Sequence, residues 1–557
     1  MSEERTCCSI HILGTQACLL FFASSAVLTS VHPANGQTLV GLRIEGPEAV
    51  LEESTAEYVA IAEFDNGNEY EVTLFAEWSV APDTYAEIDQ YGILTTFEAP
   101  ADEVIAVMAV FTWDDVTLEA SQDVTILDAT EGPAADPWPE WQKSPARLGR
   151  TTTVGPQTPR IDWTIQVDFG FPGVELWGGP VMDKEGRVFV GGIEGITCVD
   201  TKTRSLLWQF PVPQDGVFRP ATIRNGKVLF GGQDSKFYCV DAVTGEEVWS
   251  IIMPGDPLEA QAVDESQEDG VVYFATAGTN QLHARRINDG SELWTISSSD
   301  AVLSPPALDG LGRLFTGGDI SARARAIADG QSIWIGPAYQ NFGVTPILAA
   351  EGRIYVATYF PTLFCLDSTT GEEIFSYDGL AQNTGAIAIG HDGTVYVAEV
   401  WEFGDLVAVS PDGDELWRYD INEQVIFPPI VGGDGTIYLC SFLHPDKGHV
   451  HAVRLDGTAL WVKEMPHFVQ ASPMLAPDGT LYVLCSDKLL YAFQDPAKGD
   501  VSLNDIIDGR DIRFFIQVLF GADDDPIRAF AADMNGDGIV DQNDVPLFVE
   551  VLLTVAS

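Results

Sequence analysis

The stretch GKVLFGGQDSKFYCVDAVTGEEVW, residues 226–249, determines the fold of this chain. It contains two runs of β-branched and aromatic residues separated by a turn. The dipeptide Thr244-Gly245 and a third run that ends in Trp249 follow. Such runs, bounded by Gly and Asp, predict antiparallel strands joined by tight turns. A sheet this small cannot bury both of its faces alone, so we expect it to stack on further copies of itself.

Similar stretches recur at residues 352–375, 393–417 and 435–461. Each unit ends on an aromatic residue, and these anchors are Trp163, Trp208, Trp249, Trp294, Trp334, Phe375, Trp417 and Trp461. Eight anchors predict eight four-stranded units, and closing the units into a ring would remove their exposed ends. The last unit breaks off before its final strand. We therefore expect the segment around Trp163 to supply that strand and to fasten the ring.

The order of strand, Val-Asp or Leu-Asp, Thr-Gly and tryptophan resembles the PQQ-like β-propeller repeats. Residues 138–150, WPEWQKSPARLGR, are similar to the lead-in of many such propellers. The resemblance covers residues 138 to about 493. It implies an eight-bladed β-propeller at 159–495, preceded by a linker and lead-in at 130–158. It does not imply a function, because these repeats occur in quinoprotein dehydrogenases and in non-catalytic scaffolds of the BamB type.

Residues 38–129 alternate between apolar and polar side chains and contain turn signals such as DNGN at 65–68. This pattern predicts a small β-sandwich. The stretches GLRIEGPEAV, AEWSV and DVTIL resemble a bacterial Ig-like domain of group 2, in which Trp78 would be a core residue. The predicted fold class is therefore all-β, with a β-sandwich, an eight-bladed propeller and a small helical module at the C-terminus.

The C-terminal stretch DMNGDGIVDQND, residues 533–544, has the spacing of an EF-hand calcium loop. Its predicted ligands are Asp533, Asn535, Asp537, the Ile539 carbonyl, Asp541 and Asp544, with Gly538 at the sharp turn. Position twelve is Asp544 where sensor proteins have the longer Glu. The shorter side chain favours a structural calcium site over a switch.

A second loop, DVSLNDIIDGRD at residues 500–511, lies in the same register 33 residues upstream. Its predicted calcium ligands are Asp500, Ser502, Asn504, the Ile506 carbonyl, Asp508 and Asp511. Asp505 replaces the turn glycine. A short apolar helix is expected after each loop, and the two helices should pack on each other.

These paired loops at 499–557 resemble dockerin type I modules, and membership would imply docking to a cohesin. Positions ten and eleven of the two loops are Gly509-Arg510 and Gln542-Asn543. They differ from the family's common pair of small hydroxyl residues and from each other. Calcium-supported folding of the module is therefore favoured over cohesin binding.

The net charge of -54, with a pI near 4.1, disfavours binding to nucleic acid and to anionic lipid. Residues 17–28, ACLLFFASSAVL, are too short to span a bilayer and predict a signal peptide within residues 1–34. No other segment is predicted to cross a membrane. The protein is thus expected to be exported, with an extracellular, cell-surface or periplasmic location.

Five cysteines lie outside this leader, and their wide scatter predicts buried strand residues instead of a disulfide framework. A quinoprotein dehydrogenase would need a bound quinone, calcium and an acidic base, and many have adjacent cysteines. The adjacent pair here, Cys7-Cys8, lies in the leader, and no haem-attachment motif is present. No PQQ is therefore expected, although an enzyme is not excluded.

Two further features leave alternatives open. His449 and His451 lie on one face of a predicted strand and, with His444 or His467, would form either a metal site or ordinary structural contacts. Aromatic and amide groups in the connections at residues 336–346, 422–429 and 465–473 suit either a binding face or loop packing.

The sequence as a whole predicts an exported, non-catalytic binding or scaffold protein. Its partner would be a protein, or a cell-surface or polysaccharide component, reached through the propeller loops or the dockerin-like tail. The alternatives are a quinoprotein-like oxidoreductase and a polysaccharide-associated factor recruited through the tail.

Overall fold

The computed structural model describes residues 38–127 and 147–555. Within these ranges it omits residues 47–48, 52–54, 67–68, 83, 91, 97–102, 114–115, 168–178, 214–215, 218, 258–260, 265–269, 277, 298–304, 319–320, 338–346, 351, 359–361, 381–383, 400–403, 444–445 and 470. The predicted signal peptide, and the linker as far as residue 146, lie outside the described residues.

The N-terminal region forms three small sheets, in the orders β1-β4-β5, β2-β10-β9-β6 and β3-β8-β7. Their strands are β1 (Leu39–Glu45), β2 (Ala49–Leu51), β3 (Thr55–Glu57), β4 (Val59–Phe64), β5 (Glu69–Glu71), β6 (Glu77–Ala81), β7 (Ala86–Ile88), β8 (Ile93–Thr96), β9 (Glu103–Trp113) and β10 (Val116–Leu127). Trp78 is partly buried and packs against both apolar clusters of this region. Its indole N–H donates to the Thr73 carbonyl at 3.0 Å. The predicted core position of Trp78 is thus confirmed in part.

Eight four-stranded antiparallel sheets follow in the described part of the chain. The closing sheet consists of β11 (Ile161–Gln166) and, from the other end of this region, β40 (Met474–Leu475), β41 (Leu481–Cys485) and β42 (Leu489–Phe493). Between them lie sheet S1 with β12 (Val181–Met182), β13 (Arg187–Gly192), β14 (Gly195–Asp200) and β15 (Ser205–Pro211); sheet S2 with β16 (Thr222–Arg224), β17 (Lys227–Gly232), β18 (Lys236–Asp241) and β19 (Glu247–Ile252); and sheet S3 with β20 (Ala262–Asp264), β21 (Val271–Thr276), β22 (Gln281–Arg286) and β23 (Glu292–Ser297). They are followed by sheet S4 with β24 (Ala307–Leu308), β25 (Arg313–Gly317), β26 (Ala322–Ala326) and β27 (Ser332–Ile335); sheet S5 with β28 (Ile347–Ala350), β29 (Arg353–Ala357), β30 (Leu363–Asp367) and β31 (Glu373–Tyr377); sheet S6 with β32 (Thr384–Ile389), β33 (Val395–Glu399), β34 (Gly404–Val409) and β35 (Glu415–Glu423); and sheet S7 with β36 (Ile430–Val431), β37 (Ile437–Leu443), β38 (Lys447–Val453) and β39 (Ala459–Met465).

The closing sheet has the order β11-β42-β41-β40, so both ends of this region contribute to it. Strand β11 pairs antiparallel with β42, which confirms the predicted closure. From S1 to S7, the first strand of each sheet contacts the first strand of the next. One apolar cluster continues from S7 through the closing sheet into S1 and S2. The series of sheets therefore closes on itself, with the first strands innermost.

The repeated tryptophans and glycines meet across the boundaries between sheets. Each aromatic anchor lies on the outermost strand of its sheet, as predicted. The indole N–H donates to a carbonyl of the following sheet in the pairs Trp208–Ala242, Trp249–Ile287, Trp294–Ile327, Trp334–Ser368 and Trp417–Leu455, at 2.7–3.2 Å. The same ring covers the turn glycine of that following sheet. Gly290, for example, has a φ of +70°, and a Cβ there would lie 2.9 Å from the Trp249 ring.

The boundary between S5 and S6 has Phe375 in place of tryptophan. Its ring still covers the turn glycine of the next sheet, Gly413. Phenylalanine has no N–H, and at this boundary the Arg353 guanidinium donates to the Pro411 carbonyl at 2.5 Å. Arg187 and Arg313 make the same kind of contact beside tryptophans, so this arginine belongs to the repeat and does not replace the missing indole N–H.

The five cysteines in the described residues are Cys198, Cys239, Cys365, Cys440 and Cys485, and all are buried and free. This confirms the prediction of buried strand residues. Burial raises the pKa of the Cys198 thiol to about 12, and the other thiols shift in the same direction for the same reason. Such thiols stay protonated and chemically inert.

The C-terminal module contains the helices α1 (Asp511–Leu519), α2 (Pro526–Ala532) and α3 (Asp544–Val555). Phe515 and Phe548 stack with ring centres 4.0 Å apart, which confirms that the two predicted helices pack on each other. Helix α2 was not predicted, although Asp525 followed by Pro526 is a recognisable start signal. No helix in the described ranges has the length and apolar character to span a membrane.

Candidate functional sites

The middle of the ring is occupied by residues 147–151, which we call the lead-in segment. The Leu148 carbonyl accepts from the Ile389 N–H at 2.9 Å. The Gly149 carbonyl accepts from the Val431 N–H at 2.8 Å, and the Thr151 N–H donates to the Val431 carbonyl at 2.9 Å. Ile389 and Val431 belong to the innermost strands β32 and β36. The lead-in segment therefore runs along the inner edges of S6 and S7.

Arg147 extends this segment across the ring. Its side chain is fully buried. Its guanidinium donates to the carbonyls of Pro306 at 3.2 Å and Gln261 at 2.6 Å, just before the innermost strands β24 and β20. Arg150, also buried, donates to the Gly390 carbonyl at 2.8 Å. The chain thus fills its own ring centre with polar contacts that link S3, S4, S6 and S7.

Sequence reasoning did not find this arrangement. The residues ARLGR were recognised as part of a lead-in, but nothing in their composition indicates that they enter the ring. Arg147 has a φ of +64° and Gly149 a φ of +67°, so the segment makes two left-handed turns. The glycine is an ordinary signal for such a turn, whereas an arginine there is not.

The predicted calcium ligands form two loops with matching hydrogen bonds. In the second loop, Asp533 accepts from the N–H groups of Gly536 and Gly538, at 2.9 and 3.1 Å. Asp544 accepts from Met534, Asn535 and Asp541 at 2.7–3.1 Å. Both carboxylates are buried. They therefore organise the loop through its own backbone.

The first loop repeats three of these contacts at equivalent positions, those with Ser502, Asp505 and Asp508, and has Asn504 as a further donor. Asp500 accepts from the N–H groups of Asn504 and Asp505, and Asp511 accepts from those of Ser502 and Asp508, at 2.7–3.0 Å. Both carboxylates are buried as well. The loop that lacks the turn glycine thus keeps the geometry of the loop that has it.

Of the remaining predicted ligands, Ser502, Asn504, Asp508 and Asp541 are partly buried, and Ile506, Asn535, Asp537 and Ile539 are exposed. The side-chain oxygens of Asn504 and Asp537 accept from the N–H groups of Ile506 and Ile539, and those of Asp508 and Asp541 accept from the loop N–H groups two residues on. The donor set consists of oxygen atoms, which suits calcium. In the described residues, however, no three His, Cys, Asp or Glu side chains form a group that could hold a metal ion. Calcium binding at these loops therefore stays a prediction.

The predicted histidine pair belongs to a buried hydrogen-bond network between S6 and S7. Ser441 donates to Glu423 at 2.5 Å, and His449 Nδ1 lies 2.9 Å from the same carboxylate. His451 Nε2 lies 2.8 Å from the Ser441 hydroxyl, and its Nδ1 lies 3.2 Å from the Tyr419 hydroxyl. Burial lowers the pKa of His451 to about 3, so this imidazole is neutral.

The metal alternative for these histidines gains no support. His467 pairs with Asp446 at 2.7 Å, apart from the network around Glu423. His444 lies outside the described residues. Within those residues no His, Cys, Asp and Glu group suits a metal ion. The described contacts of His449 and His451 are structural.

In two of the three connections, the structure favours loop packing over a binding face. Phe427 and Phe468, in two of the three connections, are buried. The Phe468 ring lies 5.6 Å from that of Phe442, so it packs against the end of β37. Apolar rings at these connections gain more from burial than from exposure. Most of the third connection, residues 338–346, lies outside the described residues.

Comparison with known protein families assigns this chain to one of them. The profile of the family described as outer membrane protein assembly factor BamB matches residues 122–304 and 379–513, which is more than half of the chain. No curated protein matches it.

Two solved structures share the fold. A quinohemoprotein alcohol dehydrogenase from Comamonas testosteroni has a TM-score of 0.52 at 15% identity, covering 63% of this chain and 76% of that one. A europium-containing methanol dehydrogenase has a TM-score of 0.50 at 16% identity, covering 62% and 89%. BamB from Moraxella catarrhalis has a TM-score of 0.47 at 18% identity, covering 60% and 97%. At these identities the first two show a common β-propeller-type fold and say nothing of activity. By its matched profile, the chain belongs to the PQQ-like repeat family described as outer membrane protein assembly factor BamB.

Proposed function

We propose that the eight sheets are the blades of one eight-bladed β-propeller, and that the protein is an exported, non-catalytic binding or scaffold protein. The observation that carries this proposal is the filled ring centre, where buried Arg147 donates to carbonyls beside β20 and β24. A quinone-dependent enzyme needs an open pocket for its cofactor. A platform needs only its outer loops and edges, which the lead-in segment leaves free.

Membership of the BamB-described family supports a protein partner and a location in the periplasm or at the outer membrane. A cell-surface or polysaccharide component is the alternative partner in this proposal. In this proposal, residues 38–129 are an Ig-like spacer, and residues 499–557 are a dockerin-like module for folding or docking.

Calcium would be held in the module by the twelve loop residues named above. The ion would supply positive charge between carboxylates that are buried and close in sequence, so its binding would be coupled to folding of the loops. The buried position of Asp500, Asp511, Asp533 and Asp544 supports this part of the proposal.

The test is affinity capture from the exported fraction of the source cell, with the intact protein and a version lacking residues 499–557 as baits. This truncation keeps Asp495, whose carboxylate accepts from the N–H groups of Gln157 and Thr158 and so belongs to the ring. Each bait is used with calcium and with chelator.

We expect one partner to be retained in all four conditions, because recognition would lie on the propeller or the Ig-like region. A partner lost on both truncation and chelation would instead make the module the docking element. Retention on insoluble polysaccharide through the module would favour the polysaccharide-associated alternative. Failure to capture any partner, together with dye-linked dehydrogenase activity, would overturn the scaffold function.

A further inference from the structure

The boundary between the closing sheet and S1, which we call the closing junction, differs from the other boundaries. At the position of Gly245 in the repeat, the closing junction has Arg204, with a φ of +52°. Its guanidinium lies 5.7 Å from the centre of the Trp163 ring, whereas the six junctions from S1 to S7 place a turn glycine against the anchor ring. An arginine is strained in this backbone conformation, so its side chain must provide something that glycine does not.

The Arg204 side chain reaches a carboxylate on the closing strand β11. It donates to Asp162 at 2.8 Å. The Asp162 side chain is only 4% exposed, and Arg160 contacts its other oxygen at 3.0 Å. Two arginines from different parts of the ring therefore share one nearly buried carboxylate, which is a stronger arrangement than an isolated surface pair.

Arg160 also contacts the C-terminal module. Its guanidinium donates to Asp505 in the first calcium-type loop at 2.5 Å. Asp505, Arg160, Asp162 and Arg204 thus form a line of alternating charges, which we call the charge chain. It runs from the module, through the closing strand, into S1.

Asp505 departs from its own pattern in the same way as Arg204. The second loop has Gly538 at this position with a φ of +83°, and Asp505 has a φ of +62°. Leu503 also replaces a glycine of the second loop at a positive φ, of +61°, but it is uncharged. Arg204 and Asp505, by contrast, each place a charged side chain in the same chain of contacts. A glycine at either position would be easier to accommodate and would break the chain of contacts.

The module begins just after a second set of hydrogen bonds between the two ends of the ring. Asp495, two residues after β42, accepts from the N–H and hydroxyl groups of Thr158 at 2.9 and 2.7 Å. The Gln494 N–H donates to the Arg160 carbonyl at 3.2 Å. The module is therefore attached where β11 must be held.

We propose that the C-terminal module has a further function, which is to fasten the ring at its closing junction through the contact of Asp505 with Arg160. Strand β11 is supplied from the opposite end of the ring and is the outermost strand of its sheet. Backbone hydrogen bonds with β42 hold β11 on one side. The charge chain connects β11 to the module and to S1. This function is separate from partner binding, and a failed partner capture would not affect it.

The test is amide hydrogen exchange in the full-length protein, comparing Asp505→Gly and Arg204→Gly with the unmodified chain. Each substitution removes backbone strain and also breaks the charge chain. We expect exchange of the β11 amides to become roughly three- to fivefold faster in both variants. The matched control is Asn280→Gly, because Asn280 also has a positive φ, of +53°, but lies in the S3 turn. It should leave β11 unchanged.

A double-mutant cycle of Asp505→Asn and Arg160→Gln separates this proposal from general loss of stability. We expect the double variant to exchange at β11 no faster than Arg160→Gln alone, because Asp505 acts on β11 through Arg160 and that substitution already removes their contact. Exchange at β19, which belongs to S2 and takes no part in the charge chain, should not change. Unchanged or slower β11 exchange in both glycine variants, additive effects in the cycle, or equal acceleration at β19 would each overturn the proposal.

Discussion

The boundary between S2 and S3 and the closing junction solve the same packing problem with different chemistry. At the first, the Trp249 ring covers Gly290, and its N–H donates to the Ile287 carbonyl at 2.9 Å. At the second, Arg204 replaces the glycine and joins a charge chain that includes Asp505 of the C-terminal module.

The difference follows from connectivity. Each of the sheets S2 and S3 is one continuous stretch of chain, so an aromatic ring and a glycine at their boundary align two complete sheets. The closing sheet instead combines β11 from one end of the ring with β40 to β42 from the other, and loss of β11 would expose an unpaired edge. Additional contacts are therefore concentrated there. The predictions below test this contrast between regular and closing junctions.

The largest effect is expected for Gly290→Ala. The new methyl group would lie 2.9 Å from the Trp249 ring, in a backbone conformation with a φ of +70°. Strain of about 1 kcal/mol and overpacking of about 2 kcal/mol should lower the free energy of unfolding by about 3 kcal/mol in urea titrations.

The control for this substitution is Gly278→Ala. Gly278 has a φ of +77°, but a Cβ there would meet nothing within 4 Å. Its loss should be about 1 kcal/mol, from backbone strain alone. Equal losses at the two positions would show that the contact between glycine and tryptophan does not determine the regular junctions.

Acid should destabilise the sheets that the regular junctions join. Burial lowers the pKa of His283 in S3 to about 4, and the nearby Arg285 adds to the shift. The unfolded chain would take up a proton near pH 6.5, and the folded one would not. Stability is therefore full above pH 6.5 and falls by about 3 kcal/mol as the pH is lowered to 4.

Urea titrations between pH 7 and pH 4 measure this loss, and His283→Gln provides the comparison. The variant loses the group that titrates, so its stability should depend less on pH in this range. An identical pH dependence in the two proteins would assign the acid sensitivity to other groups.

A smaller effect is expected for Trp294→Phe. This change removes the indole N–H that donates to the Ile327 carbonyl at 2.9 Å. The expected loss is about 1 kcal/mol. The reverse change, Phe375→Trp, should raise stability by up to about 1 kcal/mol, because the Pro411 carbonyl can accept from an indole N–H beside Arg353, as the Ala242 carbonyl accepts from Trp208 beside Arg187. A loss of stability in this variant would contradict an independent contribution of the indole N–H.

The smallest effect is expected from salt. The Asp505 side chain is 62% exposed, so its contact with Arg160 should be screened in 1 M NaCl. We expect a change of about 0.5 kcal/mol, measured as roughly twofold faster exchange at β11. The apolar contacts near β19 should show no such acceleration, and a uniform salt response across the ring would remove the contrast.

The sequence was sufficient to predict the sheets, because the strand and turn signals of the repeat are local and recur along the chain. The runs that end in Trp249 and Trp294 alternate with turn dipeptides in a way that only antiparallel units satisfy. The paired C-terminal helices were predicted from apolar positions after each loop, and the stacked rings of Phe515 and Phe548 agree.

The remaining features depend on contacts between residues that are distant in sequence. Nothing near Arg147 indicates that its guanidinium reaches carbonyls 114 and 159 residues away. Asp505 was interpreted as a defect in a calcium loop, because its partner Arg160 lies 345 residues away. The sequence did not decide between a binding face and loop packing for Phe468, because the pattern of a connection does not show which neighbouring sheet covers it.

The central claim is that the ring is a binding platform whose centre is filled by its own lead-in segment. The most direct measurement incubates the intact, calcium-loaded protein with PQQ and determines bound quinone by equilibrium dialysis and absorbance. Dye reduction with alcohol substrates is measured in parallel. The account predicts no stoichiometric quinone binding and no dye-linked dehydrogenase activity. One bound quinone per chain with alcohol-dependent dye reduction would contradict it, because the lead-in segment would then have to leave the ring centre.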